Sequence, residues 1–312
     1  MYDVIILGSG PAGLTAAIYT TRADLKTLLI AGVKWGGQLQ LTTLVENYPG
    51  FPEGIQGPDL MTAMRKQAER FGTEFIDLDF ESVDFSKKPF KVTVGEKTYE
   101  GKAIIIATGA ETKWLEVPGE ADKIGRGVSS CAPCDGVFFR NKNTIVVGGG
   151  DSAMEEATVL SKFATSVTIV HRKDSFRASE IMQKRVLDNP KIKVLWNCEV
   201  KEIKGEGRVQ SVILFNNKTN ETYDMPIDGV FVAIGHIPNS AKFKDIETDE
   251  AGFIKVHEHY LTNKEGIFVA GDIHDSHYKQ AVTAAGYGSA AALEAEKWLD
   301  GMEEQPIEHH QR

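Results

Sequence analysis

Cysteine is scarce in this sequence, with three in 312 residues. That scarcity excludes a disulfide-stapled secreted domain and fits a reducing compartment, so the expected location is cytoplasmic. Long hydrophobic runs are missing too. No apolar stretch approaches the length of a membrane span, and Tyr2-Asp3-Val4-Ile5-Ile6-Leu7 reads as a strand and not as a signal peptide. Basic residues are outnumbered: 35 Lys and Arg face 44 Asp and Glu, a formal charge of -9 that argues against a broad nucleic-acid surface. No second CxxC and no histidine pair stands at metal-ligand spacing, so no metal site is expected.

What is there concentrates in a few stretches. Two of the three cysteines lie in Cys131-Ala132-Pro133-Cys134-Asp135-Gly136, a dithiol that can carry two electrons; half a zinc site is the competing reading. Cys198, in Leu195-Trp196-Asn197-Cys198, reads as a small buried strand residue.

Two glycine fingerprints flank that dithiol. The first follows the strand Val4–Leu7 and opens an Ala-rich helix: Gly8-Ser9-Gly10-Pro11-Ala12-Gly13. Gly8 allows the tight turn, Gly10 the close approach of a pyrophosphate, and Gly13 the packing of helix on strand. The next strand, Lys26 to Ile30, lacks the acid that would bind an adenosine ribose. It ends in Ala31-Gly32, leaving Lys34 or backbone groups for that contact. The following loop, with Gly36, Gly37, Gln38, Leu39 and Asn47, reads as the cover of a long cofactor or as a plain surface connection.

A helix is expected from Pro58 to Gly72, then a hairpin of Phe90–Val94 and Thr98–Glu100. A separate buried strand runs from Lys102 to a turn at Gly109. The second fingerprint, Gly148-Gly149-Gly150-Asp151-Ser152-Ala153, follows Asn143–Val147. The strand after it ends at His171-Arg172-Lys173, with Arg177 beyond, cations that suit the extra phosphate of NADP. Strand-like segments then occupy 193–200, 209–216 and 221–225. Near the end, Gly271-Asp272 closes a buried strand ahead of Lys279-Gln280-Ala281, and Asp272 suits a ribityl hydroxyl or a helix cap. His257 and His259 share an apparent strand face without a clear acidic partner, and the tail 301–312 is polar.

The expected fold is α/β, with two Rossmann-like, three-layer ββα dinucleotide-binding domains. The second, 114–242, is inserted into the first, 1–113 with 243–312. A nicotinamide gives a hydride and a disulfide takes an electron pair; a flavin joins these two chemistries. On that reasoning the first fingerprint holds FAD and the second NADPH.

The Gly8 fingerprint, Gly36-Gly37-Gln38-Leu39, Glu46-Asn47-Tyr48-Pro49-Gly50 and the Cys131–Gly136 motif together resemble the low-molecular-weight, bacterial-type thioredoxin reductases. So do Gly148 to Ala153, His171-Arg172-Lys173 with Arg177, and Gly271-Asp272 with Gln280-Ala281. The resemblance implies FAD bound by Gly8, Gly10, Pro11, Ala12, Gly13, Gly36, Gly37, Gln38, Leu39, Asn47, Gly109, Gly271, Asp272, Lys279, Gln280 and Ala281. It implies NADPH bound by Gly148, Gly150, Asp151, Ser152, Ala153, His171, Arg172, Lys173 and Arg177. It makes Cys134 the flavin-proximal thiol, Cys131 the thiol that attacks thioredoxin, and Asp135 the acid that handles protons. Arg126 and Phe138 match docking positions, a homodimer is implied, and Val137 stands where an aromatic is common. Because dithiol and nicotinamide site share the inserted domain, that domain is expected to rotate about 113–117 and 237–242. A reductase of another protein disulfide, or a flavin-bound redox sensor, is the rival reading.

Overall fold

The computed structural model describes residues 1–303; the last part of the polar tail, 304–312, lies outside the described residues. The chain divides into two compact units, Met1–Glu111 with the segment from Ile237 on, and Thr112–His236.

The first unit opens with β1 (Tyr2–Leu7), α1 (Pro11–Arg22), β2 (Thr27–Ile30), β3 (Leu44–Val45), β4 (Ile55–Gln56) and α2 (Gly57–Arg70). It continues through β5 (Glu74–Ile76), β6 (Ser82–Asp84), β7 (Phe90–Val94) and β8 (Lys97–Ile106), and reaches its end in β9 (Ala110–Thr112). Its seven-stranded sheet runs β5-β2-β1-β8-β7-β6, and a late strand also joins β8. The pairings of β5, β2, β1 and β8 are parallel, those of β6, β7 and β8 antiparallel.

The expected short hairpin and the separate buried strand are one element. The ten-residue β8 pairs antiparallel with β7 through Lys97–Gly101 and parallel with β1 through Gly101–Ile106. The change from polar to apolar residues near Lys102, which suggested a break, marks only the passage from exposed edge to core.

Strand alternation sorts the core of this unit into two faces. Val4, Ile6, Leu29, Ala103 and Ile105 pack under α1 and α2, against residues such as Leu14, Ala17, Leu60 and Met61. Ile5, Leu7, Leu28, Ile30, Ile104 and Ile106 face the other way, against Phe85, Phe90, Val92 and Phe243. Both faces are covered, which is why these strands read as unbroken apolar runs.

The second unit contains β10 (Val128–Ser129), α3 (Ala132–Asp135), β11 (Asn143–Gly148), α4 (Asp151–Leu160), β12 (Ser166–His171), α5 (Glu180–Leu187) and β13 (Ile192–Trp196). Then come β14 (Cys198–Lys204), β15 (Ser211–Asn216), β16 (Glu221–Pro226) and β17 (Gly229–Ala233). The parallel sheet has the order β10-β17-β11-β12-β13, and β14, β15 and β16 form a separate antiparallel sheet. The same division of faces recurs. Val146, Ile169 and Phe231 pack with Met154, Ala157 and Leu160 of α4, while Ile145, Val147, Val170 and Val230 pack with Val200, Val212 and Leu214 of the antiparallel sheet. Helices, parallel sheet and antiparallel sheet make the three layers.

The segment expected as one strand, 193–200, is two. Asn197 takes a left-handed conformation, φ 57°, and turns the chain from β13 in one sheet into β14 in the other. Cys198 is the first residue of β14 and is buried, as expected.

β18 (His236–Pro238) pairs with β9 where the chain leaves and re-enters the first unit. β19 (Ile267–Val269) then pairs parallel with β8, and α6 (Ala281–Glu303) closes the helical layer through Ala284, Ala291, Ala295 and Leu299. The re-entry falls earlier than position 243. Asn239 donates its backbone N–H to the Gly109 carbonyl and its side-chain amide to the Thr108 carbonyl, binding residues 237–242 to the first unit. No helix among the described residues is long and apolar enough to cross a membrane.

The packing of α6 on α1 is glycine-dependent at one point. A Cβ on Gly288 would stand 2.1 Å from the Ala12 carbonyl oxygen, whereas one on Gly286 would meet nothing within 4 Å. Gly288→Ala is therefore expected to destabilise the protein by about 1–3 kcal/mol through overpacking. Gly286→Ala should stabilise it by roughly 0.5–1 kcal/mol through helix propensity. Urea unfolding of the two variants checks both signs.

Candidate functional site

Three separated stretches of sequence meet at the carboxyl ends of β1 and β8. Gly8, at φ 110°, accepts no side chain: a Cβ would lie 2.3 Å from the Ala107 carbonyl oxygen. Gly13, one turn into α1, would put a Cβ 1.9 Å from the Gly8 carbonyl. Gly10 is different, because a Cβ there would touch no protein atom within 4 Å. Protein packing does not require glycine at that position, and the open space lies at the head of α1, which has no side-chain cap. Those first-turn N–H groups and the helix dipole suit a pyrophosphate.

The loop after β2 lies over this turn. Ser9 Oγ donates to the Ala31 carbonyl at 2.8 Å and accepts the Gly36 N–H at 2.9 Å, and Gly37 sits beside Gly10. Gln38 is exposed and Leu39 packs on the core, both in the 3-10 turn Gly37–Leu41. Further along, Asn47 Nδ2 donates to Gln280 Oε1 at 3.2 Å, joining positions 233 residues apart. Gly271 lies against Ala12, and Gly109, with φ 69°, accepts the Asn239 N–H.

Asp272 carries the clearest sign of a ligand. Its Oδ1 is buried with no hydrogen-bond partner among the described residues. Burial, then the negative charge of Asp275, pushes its pKa up to about 6 against a pull from Lys279. The capping alternative for Asp272 finds no support, since its Oδ1 meets no N–H; Asp275 instead accepts the N–H groups of His277, Tyr278 and Lys279, in the irregular chain ahead of α6. An orphaned acceptor beside the first turn of α1 fits a ribityl hydroxyl. Sequence reasoning missed Asp275, and also Asp79, whose Oδ1 accepts the Val33 N–H at 3.1 Å and supplies an acid near the end of β2 from another strand's loop. Lys34 is exposed there.

The second unit repeats the construction. A Cβ on Gly148 would lie 2.4 Å from the Ala233 carbonyl oxygen and 2.8 Å from Ala153 Cβ, while Gly150, at the head of α4, is again open. Ser152 is exposed on the first turn. The loop after β12 folds back on the glycine run through the Arg177 N–H, which donates to the Gly149 carbonyl at 2.8 Å. Arg172, Lys173 and Arg177 are exposed beside it.

One expectation is corrected here. His171 is not a cation for a phosphate: it is buried, lies against Gly149 and Phe176, and bonds the Ser175 carbonyl through Nε2 at 3.0 Å. Burial, with Arg177 and Arg172 adding to it, moves its pKa below the usual histidine value, leaving a neutral ring. Asp151 has its Oδ1 occupied by the N–H and hydroxyl of Ser179, which hold its pKa down, so its carboxylate ties α4 to the start of α5.

Cys131 and Cys134 are joined as a disulfide, with Cα atoms 5.3 Å apart across the first turn of α3. Cys134 is exposed and Cys131 half-buried. α3 is held on α4 by the Ala132 N–H, which donates to Glu156 Oε2 at 2.5 Å. Asp135 is largely buried, and burial raises its pKa against the pull of a 2.6 Å hydrogen bond from Ser129 Oγ. Neither Ser129 nor Glu156 was found from sequence; Ser129 is an ordinary polar residue two positions before the motif, and Glu156 is brought to it only by the fold. Next to the dithiol, Val137, Phe138 and Arg126 are exposed. His257 and His259 lie in irregular chain and not on a strand, 3.5 Å and 4.0 Å from Glu247 and Glu294.

Two glycine-turn nucleotide sites and one closed dithiol define a nucleotide-dependent disulfide oxidoreductase, and the chain belongs to the pyridine nucleotide-disulphide oxidoreductase family, whose model matches residues 2–288. It is 53% identical over 303 residues to a thioredoxin reductase of Rickettsia bellii, covering 95% of this chain and 98% of that one. It is 50% identical over 301 residues to one of Mycolicibacterium smegmatis, covering 96% and 97%. The crystal structure of thioredoxin reductase from Streptococcus pyogenes matches with a TM-score of 0.92 at 42% identity, over 96% of this chain and 99% of that chain.

The raised pKa of Asp272 sets a stability signature in flavin-free protein. The folded state holds this proton up to about pH 6, the unfolded chain only to the ordinary carboxyl value of 3.8, so stability falls as pH rises across that window. Asp272→Asn should remove that decline, and denaturant midpoints measured from pH 4 to 7 check it.

Proposed function

We infer that the protein is an NADPH-dependent, FAD-containing reductase of thioredoxin disulfide. The observation that carries this reading is the closed Cys131–Cys134 disulfide, on the same unit as a glycine fingerprint with three exposed cations beside it. The full-length similarity to thioredoxin reductases supports the choice of acceptor. The same similarity favours turnover over a sensor role. A soluble cytoplasmic homodimer follows from the family resemblance.

The residues of the first unit fit FAD. Gly10 and the first turn of α1 would face its pyrophosphate, Asp272 Oδ1 would accept a ribityl hydroxyl, and the Asn47–Gln280 pair would lie along the cofactor's cover. Those of the second unit fit NADPH, with Gly150 and α4 at its pyrophosphate and Arg172, Lys173 and Arg177 at its 2′-phosphate. His171 would hold the glycine run in shape beside them. Bound FAD supplies a ring that takes the electron pair of a hydride and can hand it to a disulfide.

The chain's own part is thiol and proton chemistry. As the Cys131–Cys134 bond takes up an electron pair, both sulfurs become thiolates, and protons must be delivered and later removed. Asp135, whose proton affinity burial raises, is the acid for that transfer. Cys131 attacks the thioredoxin disulfide, and Cys134 then attacks Cys131 and closes the ring, which releases the two thioredoxin thiols. Phe138, Val137 and Arg126 offer a docking surface of apolar and basic character. The dithiol serves both partners by rotation of the inserted unit about the paired crossings β9 and β18.

NADPH added anaerobically to the FAD-loaded protein should bleach the flavin, and oxidised thioredoxin should restore its colour. A flavin that stays oxidised would overturn the reading. Cys134→Ser should bleach yet fail to turn over thioredoxin. Arg172→Ala and Arg177→Ala should each raise KM for NADPH by roughly tenfold or more while leaving NADH nearly unchanged, as expected for lost charge-assisted bonds to a phosphate.

A further inference from the structure

Ser129 stands at the end of β10, with its neighbour in register, Phe231, on β17. Its side chain is buried, and its hydroxyl both donates and accepts. Oγ accepts the Cys131 N–H at 3.1 Å and lies 2.6 Å from Asp135 Oδ2. A peptide N–H can only donate, so the single hydroxyl proton is directed at the carboxylate. That proton occupies Oδ2 and leaves Oδ1 as the oxygen able to carry an exchanging proton. One hydroxyl thus links the backbone of the first cysteine to the acid four residues on.

We propose that Ser129 is a positioning residue that fixes the Asp135 carboxylate relative to the Cys131–Cys134 turn and sets its proton affinity. The proposal rests on the reading of Asp135 as the proton carrier of the dithiol. Ser129, Asp135 and both cysteines belong to the same unit, so the acid travels with the dithiol whichever partner the dithiol meets. A carboxylate attached to a separate element would need to be re-aimed at each half-reaction.

Burial raises the proton affinity of Asp135 and the Ser129 hydroxyl lowers it. On α4, packed against the turn, Glu156 accepts the Ala132 N–H, and Asp151 and Glu155 are the other charged groups; the turn itself carries the two cysteines, and Gly136–Phe139 beyond it has no ionisable side chain. The hydroxyl stabilises the charged carboxylate, so its removal must raise the pH at which Asp135 titrates.

The test uses flavin-loaded, oxidised full-length protein with 13C-labelled aspartate carboxyls, in which NMR follows the Asp135 signal against pH. Ser129→Ala should move the midpoint to higher pH and Ser129→Thr, which keeps the hydroxyl, should leave it near the original. In turnover, Ser129→Ala should lose roughly tenfold in kcat at neutral pH, the size of one hydrogen bond to a charged group, with its pH profile moved in the same direction. In a background of Asp135→Asn, Ser129→Ala should cost nothing further. An unmoved midpoint, a threonine variant as slow as alanine, or additive losses would overturn the proposal. The midpoint is read without NADPH or thioredoxin. An Asp135→Asn variant of full activity would therefore sink the proton-carrier reading by itself, while the midpoint still decides the hold of Ser129 on Asp135.

Discussion

A carbonyl oxygen standing where a side chain would begin fixes both nucleotide sites. In the first unit the oxygen belongs to Ala107 at the end of β8 and the bare position is Gly8; in the second they are Ala233, just at the end of β17, and Gly148. In each case the central strand must turn into its helix while pressed against the next strand, and only glycine lets it do so. The open positions follow from that turn. Gly10 and Gly150 sit one step later, where the chain has cleared its neighbours and the helix end faces empty space. The rest of each unit serves this turn: two-faced burial holds the strands flat against each other, and the loops after β2 and β12 fold back over the glycines.

The electrostatics of the sites come from burial more than from pairing. Asp272 and Asp135 are both raised by desolvation, and His171 is lowered by it. Each is thereby moved toward neutrality, two carboxyl groups and one imidazole alike. The exposed Arg172, Lys173 and Arg177 keep the opposite character, solvated and free to meet a phosphate. The two kinds of group are separated by depth within a few residues of chain, as His171 and Arg172 illustrate.

Local pattern made the strands, the fingerprints and the dithiol legible from the residues alone. Val4–Leu7 before Gly8, and Asn143–Val147 before Gly148, state strand, turn and helix within a dozen positions. What was not legible depends on chain that is distant or on a single dihedral. Glu156 reaches the dithiol only because α4 is brought to it, and Asp79 approaches Val33, just past β2, across 46 residues. Asn197 breaks a run of strand formers by one positive φ, which apolar periodicity does not register. His171 was misjudged as a cation because adjacent charges suggested a surface, whereas its ring is the last inward-facing residue of β12.

The return of the chain to its first unit has a bearing on how the protein is made. On a ribosome, the segment Thr112–His236 is continuous and emerges whole, so it can fold while synthesis proceeds. The first unit has no such freedom. Ile104–Ile106 of β8 wait for Ile267–Val269, and the helical layer waits for α6, so a nascent chain of some 250 residues carries an unzipped apolar strand edge beside a finished neighbour. The insertion that puts the dithiol on a body of its own thus also defines the stage at which the growing polypeptide is most exposed to aggregation.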